Sequence, residues 1–532
     1  MARHGMIATS QPLASSAGLT VLRRGGNAVD AAVTAAAVLA VVEPTMTGVG
    51  GDLFAIVYDS HAHRLHGLNA SGRTGRAASY DALRRAGHNR VPARGALSVT
   101  VPGAVDGWSE LLARHGTITL EQAVQPAIGY ARDGFPVCEI VAGQWQGVEP
   151  VLAEHAAAAA VFLPGGRAPR AGEVFRNPWL ADSLQAIADG GRDAFYRGPL
   201  ARAICGHLRS CGGLVGEEDF ASCRADWVEP LHTTFRGCEV HELPPNTQGF
   251  VVLEMLNILE AGNLGGIGHN SADYLHVLIE AKRLAFADRD ERLADPAHVD
   301  PEVLAAMTSK DYAADRCRAI DPARAARIVR AGHIGRQPGA AFGPEPPPTG
   351  AGDTVYLTAV DGEGQAVSLI QSLFESFGSA VVPPGTGIVL HNRGSLFVLD
   401  PRHPNHLGPA KRPLHTLIPA MVLRDGRPFL SFGVMGGDLQ PQGHVQVLMN
   451  LLEFGMNVQE AGEAARIRHS PDGVAVESGI GEDVRAALAA RGHRVIESPG
   501  VFGGFQGILI DQDSGVLMGG SDPRKDGLAI GF

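Results

Sequence analysis

The feature that most constrains this chain is a Gly- and Pro-rich stretch, GHIGRQPGAAFGPEPPPTGAGD, which spans residues 332–353. Glycine and proline at this density exclude both helix and strand, so the stretch is predicted to be a linker. Directly after it, TVYLTAV, a DGEG turn and QAVSLIQSLF indicate two strands joined by a turn. The chain is therefore predicted to change architecture at Thr354.

The segment before the linker is predicted to be mostly helical. Apolar spacing over residues 9–42 predicts two helices, with Ser15 or Ser16 capping the first and Asp30 capping the second. The glycine turn TGVGGD then leads into two strand patterns, LFAIVYD and RLHGLNAS. Residues 105–335 carry further helical patterns, interrupted by one strand, FRGCEVHELPP, before the helix of NTQGFVVLEMLNILE. The charged run 288–292 is interpreted as a solvated helix face.

The segment after the linker is predicted to be rich in strands, including GIVLHN and the strands of PAMVLRDGRPFLSFGVMGG. Apart from the linker at residues 332–353, no other linker divides the chain into its mostly helical segment, 1–353, and its strand-rich segment, 354–532. This arrangement favours one layered domain that both segments build together over two independent domains.

The composition excludes several classes of protein. With 45% hydrophobic and 19% charged residues, the chain of 532 residues has the composition of a folded globular protein. A net charge of −11 gives no basic surface for a nucleic acid. The longest apolar run, residues 31–42, is too short to span a membrane, and the N-terminus lacks a signal-peptide pattern, so a cytoplasmic location is expected. Six cysteines without CxxC spacing indicate neither a metal site nor a redox pair, and we expect no cofactor.

Thr354 is the candidate nucleophile. A hydroxyl at the first position of a strand, directly behind a flexible linker, is the arrangement that N-terminal-nucleophile hydrolases require. Cleavage between Asp353 and Thr354 gives Thr354 a free α-amine, whose ordinary pKa of about 8 leaves part of it neutral and able to accept the hydroxyl proton. Gly436 and Gly437, after FLSFGVM, can present two backbone amides to an oxyanion; the alternative is an ordinary tight turn.

Eight segments carry a family resemblance, and they occur in order: GMIATSQPLASSAGLTVLRRGGNAVDAAV, EPTMTGVGGDLF, VPGAVDGW, LPPNTQG, GDTVYLTAVD, KRPLHTLIPAMV, GVMGG and GSDPRKDGLAIGF. Together they resemble the γ-glutamyltransferase family of N-terminal nucleophile hydrolases over residues 5–532. The segment GVMGGDLQPQGH is most similar to the branch with oxamate amidohydrolase and γ-glutamyltransferase-like acylases.

The resemblance implies an α+β fold, a four-layer αββα sandwich, and a precursor that cleaves itself before Thr354 into a large and a small subunit. It also implies that Ser372 is a second hydroxyl next to the nucleophile and that Gly436 and Gly437 form the oxyanion site. The two fragments are expected to remain associated, and the sequence leaves a homo-oligomer open.

The departures from the family concern the residues that bind glutamate. At these positions the chain has Ser71, Phe374, Leu396, His415 and Thr416. Arg73 lies two residues beyond the position of the family's arginine, which is about 6 to 7 Å along a strand. Each lost charge-assisted hydrogen bond costs about 1.5 to 3 kcal/mol of binding, so a γ-glutamyl head is expected to bind poorly.

Other polar residues are predicted to line the cleft and to hold a small carboxylate without an α-amine; they are Arg73, Arg393, His415, Asp438, Gln440, Gln442 and His444. Each has a simpler interpretation: His415 as a structural histidine, Asp438 as a helix N-cap, and Arg73 and Arg393 as partners of surface acids. The predicted function is hydrolysis of a small amide that bears an acid, with oxamate as the example, through an acyl-enzyme. The alternatives are γ-glutamyl transfer or glutathione hydrolysis, another acylase activity, and a non-catalytic protein that binds metabolites.

Overall fold

The computed structural model describes residues 1–261, 266–334, 353–497 and 502–532. The predicted linker, apart from residues 332–334 and 353, lies outside the described residues.

The strands of the described residues lie on both sides of the predicted linker. They are β1 (Gly5–Thr9), β2 (Asp52–Asp59), β3 (Arg64–Ala70), β4 (Phe135–Pro136), β5 (Val174–Phe175), β6 (Asp226–Val228), β7 (Leu231–Phe235), β8 (Cys238–Glu242), β9 (Asp353–Asp361), β10 (Ala366–Phe374), β11 (Ala420–Arg424), β12 (Arg427–Val434), β13 (Ile467–Ser470), β14 (Gly473–Val476), β15 (Val495–Ile496), β16 (Phe505–Ile510), β17 (Leu517–Ser521) and β18 (Leu528–Gly531).

The helices of the described residues are concentrated before the linker. They are α1 (Pro12–Arg23), α2 (Ala28–Val42), α3 (Tyr80–Arg85), α4 (Ala104–His115), α5 (Leu120–Asp133), α6 (Glu139–Gly147), α7 (Glu149–Ala153), α8 (Ala156–Phe162), α9 (Pro178–Tyr196), α10 (Pro199–Ser210), α11 (Glu217–Ser222), α12 (Gly249–Ala261), α13 (Ala272–Arg292), α14 (Pro301–Met307), α15 (Lys310–Cys317), α16 (Leu439–Leu452), α17 (Val458–Glu463) and α18 (Glu482–Ala490). None of them combines the length and the apolar character that crossing a membrane requires.

Two antiparallel sheets form the centre of the molecule. The first has the strand order β18-β1-β9-β10-β2-β3-β6, and the second has the order β17-β16-β12-β11-β8-β7. Both sheets take strands from each side of residues 353/354, so the two segments fold as one layered unit. The alternation of side chains along a strand gives each sheet one face toward its partner sheet and one toward helices.

Three apolar clusters fill the spaces between the layers. The first joins α1, α2, α4, α5 and α9 to the outer face of the first sheet. The second joins α12, α13 and α16 to the outer face of the second sheet. A third lies between the sheets and includes Phe54, Tyr356 and Met421. The order helix, sheet, sheet, helix confirms the predicted αββα sandwich.

The helix ends differ from the sequence prediction by a few residues. The N-cap of α1 is Gln11, because Pro12 occupies the first helical turn, and Ser15 lies inside the helix. The N-cap of α2 is Asn27, whose side chain accepts from the backbone of Asp30, while the Asp30 carboxylate accepts from the Asn27 backbone. Asp30 is therefore the inner partner of a capping box and not the cap itself.

Two further predictions are wrong. GIVLHN is not a strand: its backbone forms one isolated β-bridge, between Leu390 and Gly50, and its other backbone hydrogen bonds do not extend that bridge into a ladder. Its apolar side chains enter the first core cluster. The charged run at the end of α13 is not a solvated face, because Asp288 and Arg289 are buried. Burial is possible there because each charge has an opposite partner: Arg292 and Arg316 for Asp288, and two aspartates for Arg289.

Candidate active site

Thr354 and Ser372 lie side by side on adjacent strands between the two sheets. Thr354 is the second residue of β9 and has 1% of its surface exposed. Its hydroxyl donates to the Ser372 hydroxyl, with 3.4 Å between the two oxygens. The register pairs Gln371 with Val355 and then Phe374 with Asp353, so β10 has one extra residue opposite the start of β9. Such a bulge redirects side chains, and bulges are common next to active sites.

The glycine turn before β2 approaches the same point. A Cβ on Gly51 would lie 2.6 Å from the Ser372 carbonyl oxygen, so only glycine fits there without movement. Asp52, the next residue, pairs with Ser372 in the sheet register. The TGVGGD turn therefore brings its backbone against the candidate site.

Asp52 is a buried carboxylate that organises one wall of the site. Its Oδ1 accepts from the backbone N–H groups of Gly72 and Gly103, each at 3.1 Å, and its Oδ2 lies 3.2 Å from His415 Nε2. Burial raises the pKa of Asp52, but the nearby His391 and His415 rings outweigh it and hold the pKa at about 2. Asp52 is therefore ionised near neutral pH.

His415 is neutral and has both ring nitrogens engaged. The backbone N–H of Leu417 donates to Nδ1 at 3.3 Å, so Nε2 carries the proton and donates to Asp52. Burial, reinforced by the Arg393 guanidinium, lowers the pKa of His415 to about 3. The structure thus gives His415 the contacts of a structural histidine, the simpler of its two interpretations.

Arg393 is a buried cation beside the hydroxyls of Ser372 and Thr416. Its Nη1 donates to Thr416 Oγ1 at 2.9 Å, and its Nη2 donates to Ser372 Oγ at 3.4 Å. The guanidinium carbon lies 4.3 Å from the centre of the Phe374 ring. Its Nε has no hydrogen-bond partner among the described residues, and none of their carboxylates lies within ion-pair distance. Burial lowers its pKa to about 9, which leaves it charged near neutral pH.

Gln248 connects this cluster to the predicted oxyanion turn. Its side-chain amide donates to the carbonyl oxygens of Thr416 at 3.0 Å and Gly437 at 3.2 Å. Its carbonyl oxygen accepts from Arg289 Nη1 at 2.7 Å. The sequence motifs indicated a site role for neither Gln248 nor Arg289, although LPPNTQG contains Gln248.

Contacts between the two sheets indicate where the glycine turn lies relative to Thr354. The hydroxyls of Ser431 on β12 and Thr358 on β9 are 2.7 Å apart. Gly433 lies two residues after Ser431 on β12, and Tyr356 lies two residues before Thr358 on β9. A Cβ on Gly433 would contact the ring of Tyr356. If the same pairing continues by two residues, just past the end of β12 at Val434, residue 435 is expected opposite Thr354. Gly436 and Gly437 follow directly, with φ of 120° and 59°.

Asp438 closes the site on the side of α13. It stands at the N-cap position of α16, but its side chain makes no capping hydrogen bond. Instead, its Oδ1 accepts from Arg289 Nη1 at 2.7 Å. Arg289 also binds Asp290 and packs over the Phe286 ring, at 4.0 Å from its centre.

The remaining predicted residues have structural partners. The Ser71 hydroxyl donates to Asn69 at 2.7 Å, and the half-exposed Arg73 pairs with Asp295 at 3.0 Å and Asp226 at 3.6 Å. Arg73 therefore has acidic partners. Ser71 is connected to the wall of the site through Asn246, whose side chain contacts the Ser71 hydroxyl and whose backbone carbonyl oxygen accepts from the His415 backbone N–H at 2.8 Å. On α16, Gln442 and His444 have hydrogen-bond partners for both of their polar side-chain atoms. Gln440 accepts from the Ile418 backbone N–H through its Oε1, but its buried Nε2 has no partner among the described residues. Leu396 lies in the second core cluster. Among the described residues, no group of His, Cys, Asp or Glu is arranged to hold a metal ion.

Known proteins share this fold and these segments. Residues 14–532 match the family model described as Gamma-glutamyltranspeptidase. The chain is 39% identical to the Glutathione hydrolase-like YwrD proenzyme of Bacillus subtilis (strain 168), over 99% of this chain and 98% of that protein. It is 35% identical to the Oxamate amidohydrolase proenzyme of Klebsiella pneumoniae subsp. pneumoniae, over 99% and 98%. The crystal structure of cephalosporin acylase from Bacillus halodurans matches with a TM-score of 0.93 and 40% identity, over 100% and 96%.

The chain belongs to the γ-glutamyltranspeptidase family, which confirms the predicted resemblance. It is an amide hydrolase, of the amidohydrolase or acylase type found in this family.

Proposed function

We propose that this protein cleaves its own chain between Asp353 and Thr354 and then uses Thr354 to hydrolyse a small amide whose acyl part carries a carboxylate, as in oxamate. Arg393 carries the proposal. A buried guanidinium without a carboxylate partner is costly, because its charge has lost water and gained no opposite charge. Its position against Ser372 and Thr416 places this unbalanced charge next to the candidate nucleophile.

The first step in this proposal is an N-to-O acyl shift. The Thr354 oxygen attacks the carbonyl carbon of Asp353, the amide C–N bond breaks, and an ester forms. Water then hydrolyses the ester, which leaves a carboxylate on Asp353 and a free amine on Thr354. The name "proenzyme" of the Bacillus subtilis and Klebsiella relatives supports processing of this kind.

The free amine then serves as the base for turnover. It accepts the Thr354 hydroxyl proton while the oxygen attacks the substrate amide, and the backbone amides of Gly436 and Gly437 stabilise the oxyanion. The proton passes to the departing amine, and water hydrolyses the acyl-enzyme. Ser372, 3.4 Å from the Thr354 hydroxyl, orients the nucleophile.

The polar groups of the site support an acid without an α-amine. A glutamyl head brings an ammonium group, which an acidic side chain must bind. At the position of the family's acidic residue this chain has Leu396, which is buried in the core, and Phe374 covers the neighbouring face of Arg393. The carboxylates of Asp52 and Asp438 already have partners.

Glutathione hydrolysis is the second candidate, because the YwrD relative is described as glutathione hydrolase-like. The two activities differ in the substrate that the processed protein prefers. A panel of oxamate, glutathione and a γ-glutamyl anilide therefore separates them. We expect oxamate to be hydrolysed with the highest kcat/KM; a clear preference for glutathione would replace the first proposal with the second.

Thr354→Ala tests the mechanism as a whole. We expect the unaltered protein to show two fragments by mass spectrometry, meeting at 353/354, that elute together in gel filtration, because strands of both fragments alternate in the first sheet. We expect Thr354→Ala to remain a single chain without amidase activity. Thr354→Ser keeps a hydroxyl and is the matched control, expected to be processed. An active protein whose chain stays intact would rule out this mechanism.

A further inference from the structure

A basic cavity of about 390 Å³ lies beside α13, at the turn between α18 and β15. Five arginines line it: Arg283, Arg324, Arg327, Arg491 and Arg494. No Asp or Glu is present among the described residues that form its wall. The chain as a whole has a net charge of −11, so this concentration of positive charge runs against its composition. Positive charges that converge on one concave surface attract anions.

Acidic residues outside the wall balance two of these arginines. Arg283 pairs with Glu280 at 2.6 Å, and Arg491 pairs with Asp273. The other three arginines are exposed, and their side chains make no hydrogen bond or ion pair with the described residues. Three positive charges of the cavity therefore lack an opposite charge in the part of the chain that the structure describes.

Hydrogen bonds hold the walls of the cavity together. The backbone N–H of Ala325 donates to the Arg491 carbonyl oxygen at 2.8 Å, and that of Ala326 donates to Glu280 Oε2 at 3.0 Å. The segment 324–327, which carries two of the unbalanced arginines, is thus attached both to α13 and to the turn between α18 and β15. Because the backbones of the cationic residues are already positioned, less ordering is required when a ligand binds.

His469 adds a hydrogen-bond donor to the same cavity. Its Nδ1 accepts from Lys282 Nζ at 3.1 Å, so Nε2 carries the ring proton. Burial, reinforced by the Lys282 ammonium, holds the pKa of His469 at about 2, so the ring is neutral near neutral pH. Nε2 makes no hydrogen bond with the described residues, and Lys282, 6% exposed, has no carboxylate of theirs within ion-pair distance. The wall therefore offers an N–H donor with a buried, unbalanced cation behind it.

The composition of the wall selects among anions. Guanidinium groups bind phosphate oxygens through paired N–H donors, and a chain of phosphates carries enough negative charge to balance several arginines at once. No Phe, Tyr or Trp is among the described residues of the wall, so none of their side chains stacks on a nucleobase. We propose that this cavity binds a short polyphosphate chain, free or as the tail of a nucleotide, and recognises it through its phosphates.

The cavity is formed by both segments of the chain. Arg324 and Arg327 precede residues 353/354, and His469 and Arg494 follow them. A phosphate chain in the cavity contacts both groups and so connects the two segments. Because it binds the folded protein and not the unfolded chain, it raises the melting temperature. Binding requires neither cleavage nor turnover, so this inference is separate from the proposed function.

Calorimetric titration with tripolyphosphate tests the site. The ionic strength is fixed at about 0.15 M, where distant surface charges are screened. We expect a dissociation constant below about 1 mM, and binding of orthophosphate about tenfold weaker because it meets fewer arginines. ATP is expected within about threefold of tripolyphosphate. Absence of tripolyphosphate binding would overturn the proposal, and so would ATP binding more than about tenfold tighter, which requires recognition of the base.

Arginine variants assign the binding to the cavity. Arg327→Met combined with Arg494→Met removes one unbalanced charge from each segment, and we expect about tenfold weaker binding of tripolyphosphate. Arg202→Met combined with Arg209→Met removes two exposed arginines of α10 and is the matched control, expected to bind as the unaltered protein does. Melting temperatures without ligand establish that each variant is folded. Equal binding by the cavity variant and the control would overturn the assignment.

Two further measurements separate this proposal from the proposed function. We expect Thr354→Ala to bind tripolyphosphate as the unaltered protein does, and the cavity variant to hydrolyse oxamate within about twofold of the control. Loss of tripolyphosphate binding in a folded Thr354→Ala would overturn the placement of the ligand in this cavity. A protein that binds tripolyphosphate through these arginines but hydrolyses no oxamate would refute only the proposed function.

Discussion

Arg393 and Arg73 carry the same charge in opposite surroundings. The Arg73 side chain is 43% exposed and pairs with two aspartates, so its charge is already balanced. Arg393 is fully buried, and its side-chain hydrogen-bond acceptors among the described residues are two hydroxyls. Because burial of a charge without an opposite charge is unfavourable, a bound carboxylate stabilises Arg393 more than it would stabilise Arg73. The sequence named both arginines as candidates, and burial separates them.

Substitution of these two arginines provides a direct test. We expect Arg393→Met to lower kcat/KM for oxamate by about a hundredfold or more, since it removes charge-assisted contacts worth about 1.5 to 3 kcal/mol each. Arg393→Lys keeps the charge but loses the planar guanidinium that donates through two nitrogens, so we expect an intermediate kcat/KM. Arg73→Met is the control and should stay within about threefold. Steady-state kinetics on fully processed protein is the measurement; similar losses in the two Met variants would refute the assignment of Arg393.

The sequence predicted part of the residue network and missed another part. Thr354, Ser372, Arg393 and Thr416 were all named, through motif register and family resemblance, and they meet in the structure. Arg289 was missed because it lies in a charged run that has the pattern of a solvated helix. Its partner Asp438 is 149 residues away, and local pattern does not show that a charge is balanced by so distant a residue.

At the scale of elements, a turn and a bulge position the candidate nucleophile. The bulge in β10 places Ser372 beside Thr354, and the Gly48–Gly51 turn presses against the carbonyl of Ser372 from the other side. These two features determine where the second hydroxyl points. The sequence predicted both strands and the turn, but a bulge depends on the register between strands, which hydrophobic alternation does not define to one residue.

A single added methyl group tests the importance of this turn. In Gly51→Ala, the new Cβ meets the Ser372 carbonyl oxygen at 2.6 Å, so one of the two backbones must move. We expect slower processing and about tenfold lower kcat/KM, as small misplacements of reacting groups cost at least this much. Gly129→Ala is the control, because a Cβ there meets nothing within 4 Å in α5. Time courses of fragment formation on gels measure the first effect; normal processing in Gly51→Ala would show that the turn tolerates movement.

Elements defined by local pattern were predicted better than those defined by distant contacts. The helices in residues 9–42 and the hairpins around residues 52–70 and 420–434 follow from apolar spacing and turn residues. GIVLHN has the composition of a strand, yet its backbone forms one isolated β-bridge, with Gly50, and no ladder. Its side chains are buried because they pack beneath α9, a contact that the local sequence does not encode.

At the scale of the whole molecule, the two segments are interleaved. In the first sheet, β9 and β10 lie between β1 and β2, so strands from residues 354–532 are bounded by strands from the N-terminal segment. Separating the fragments would break sheet pairing on both sides of β9 and β10 and expose the inter-sheet core. The family resemblance implied the four layers. The strand order depends on pairing between strands that are distant in sequence, which the spacing of apolar residues does not predict.

Buried histidines make the whole fold sensitive to acid. Burial lowers the pKa of His415 and His444 to about 3, from 6.5 in the unfolded chain. Four other histidines have values of about 4 or below, with burial as the main cause; they are His115, His241, His469 and His493. Two buried glutamates have the opposite effect, because their pKa values are raised by burial, but they are outnumbered; they are Glu242 and Glu254.

The direction of the pH dependence follows from these shifts. The unfolded chain binds protons at its histidines below pH 6.5, while the folded protein keeps them neutral until the pH approaches 4 or 3. The stability that neutral histidines provide is therefore complete above pH 6.5 and is lost as the pH falls. For His415 and His444, the loss between pH 7 and pH 5 is about 2 kcal/mol each.

We expect the melting temperature to fall from pH 7 to pH 5, with net proton uptake on unfolding. Scanning calorimetry in two buffers of different ionisation enthalpy measures both quantities. A melting temperature that holds constant or rises over this range would mean that the buried glutamates dominate. In that case Glu242→Gln should remove part of the rise, because a neutral amide in contact with His444 no longer takes up a proton on folding.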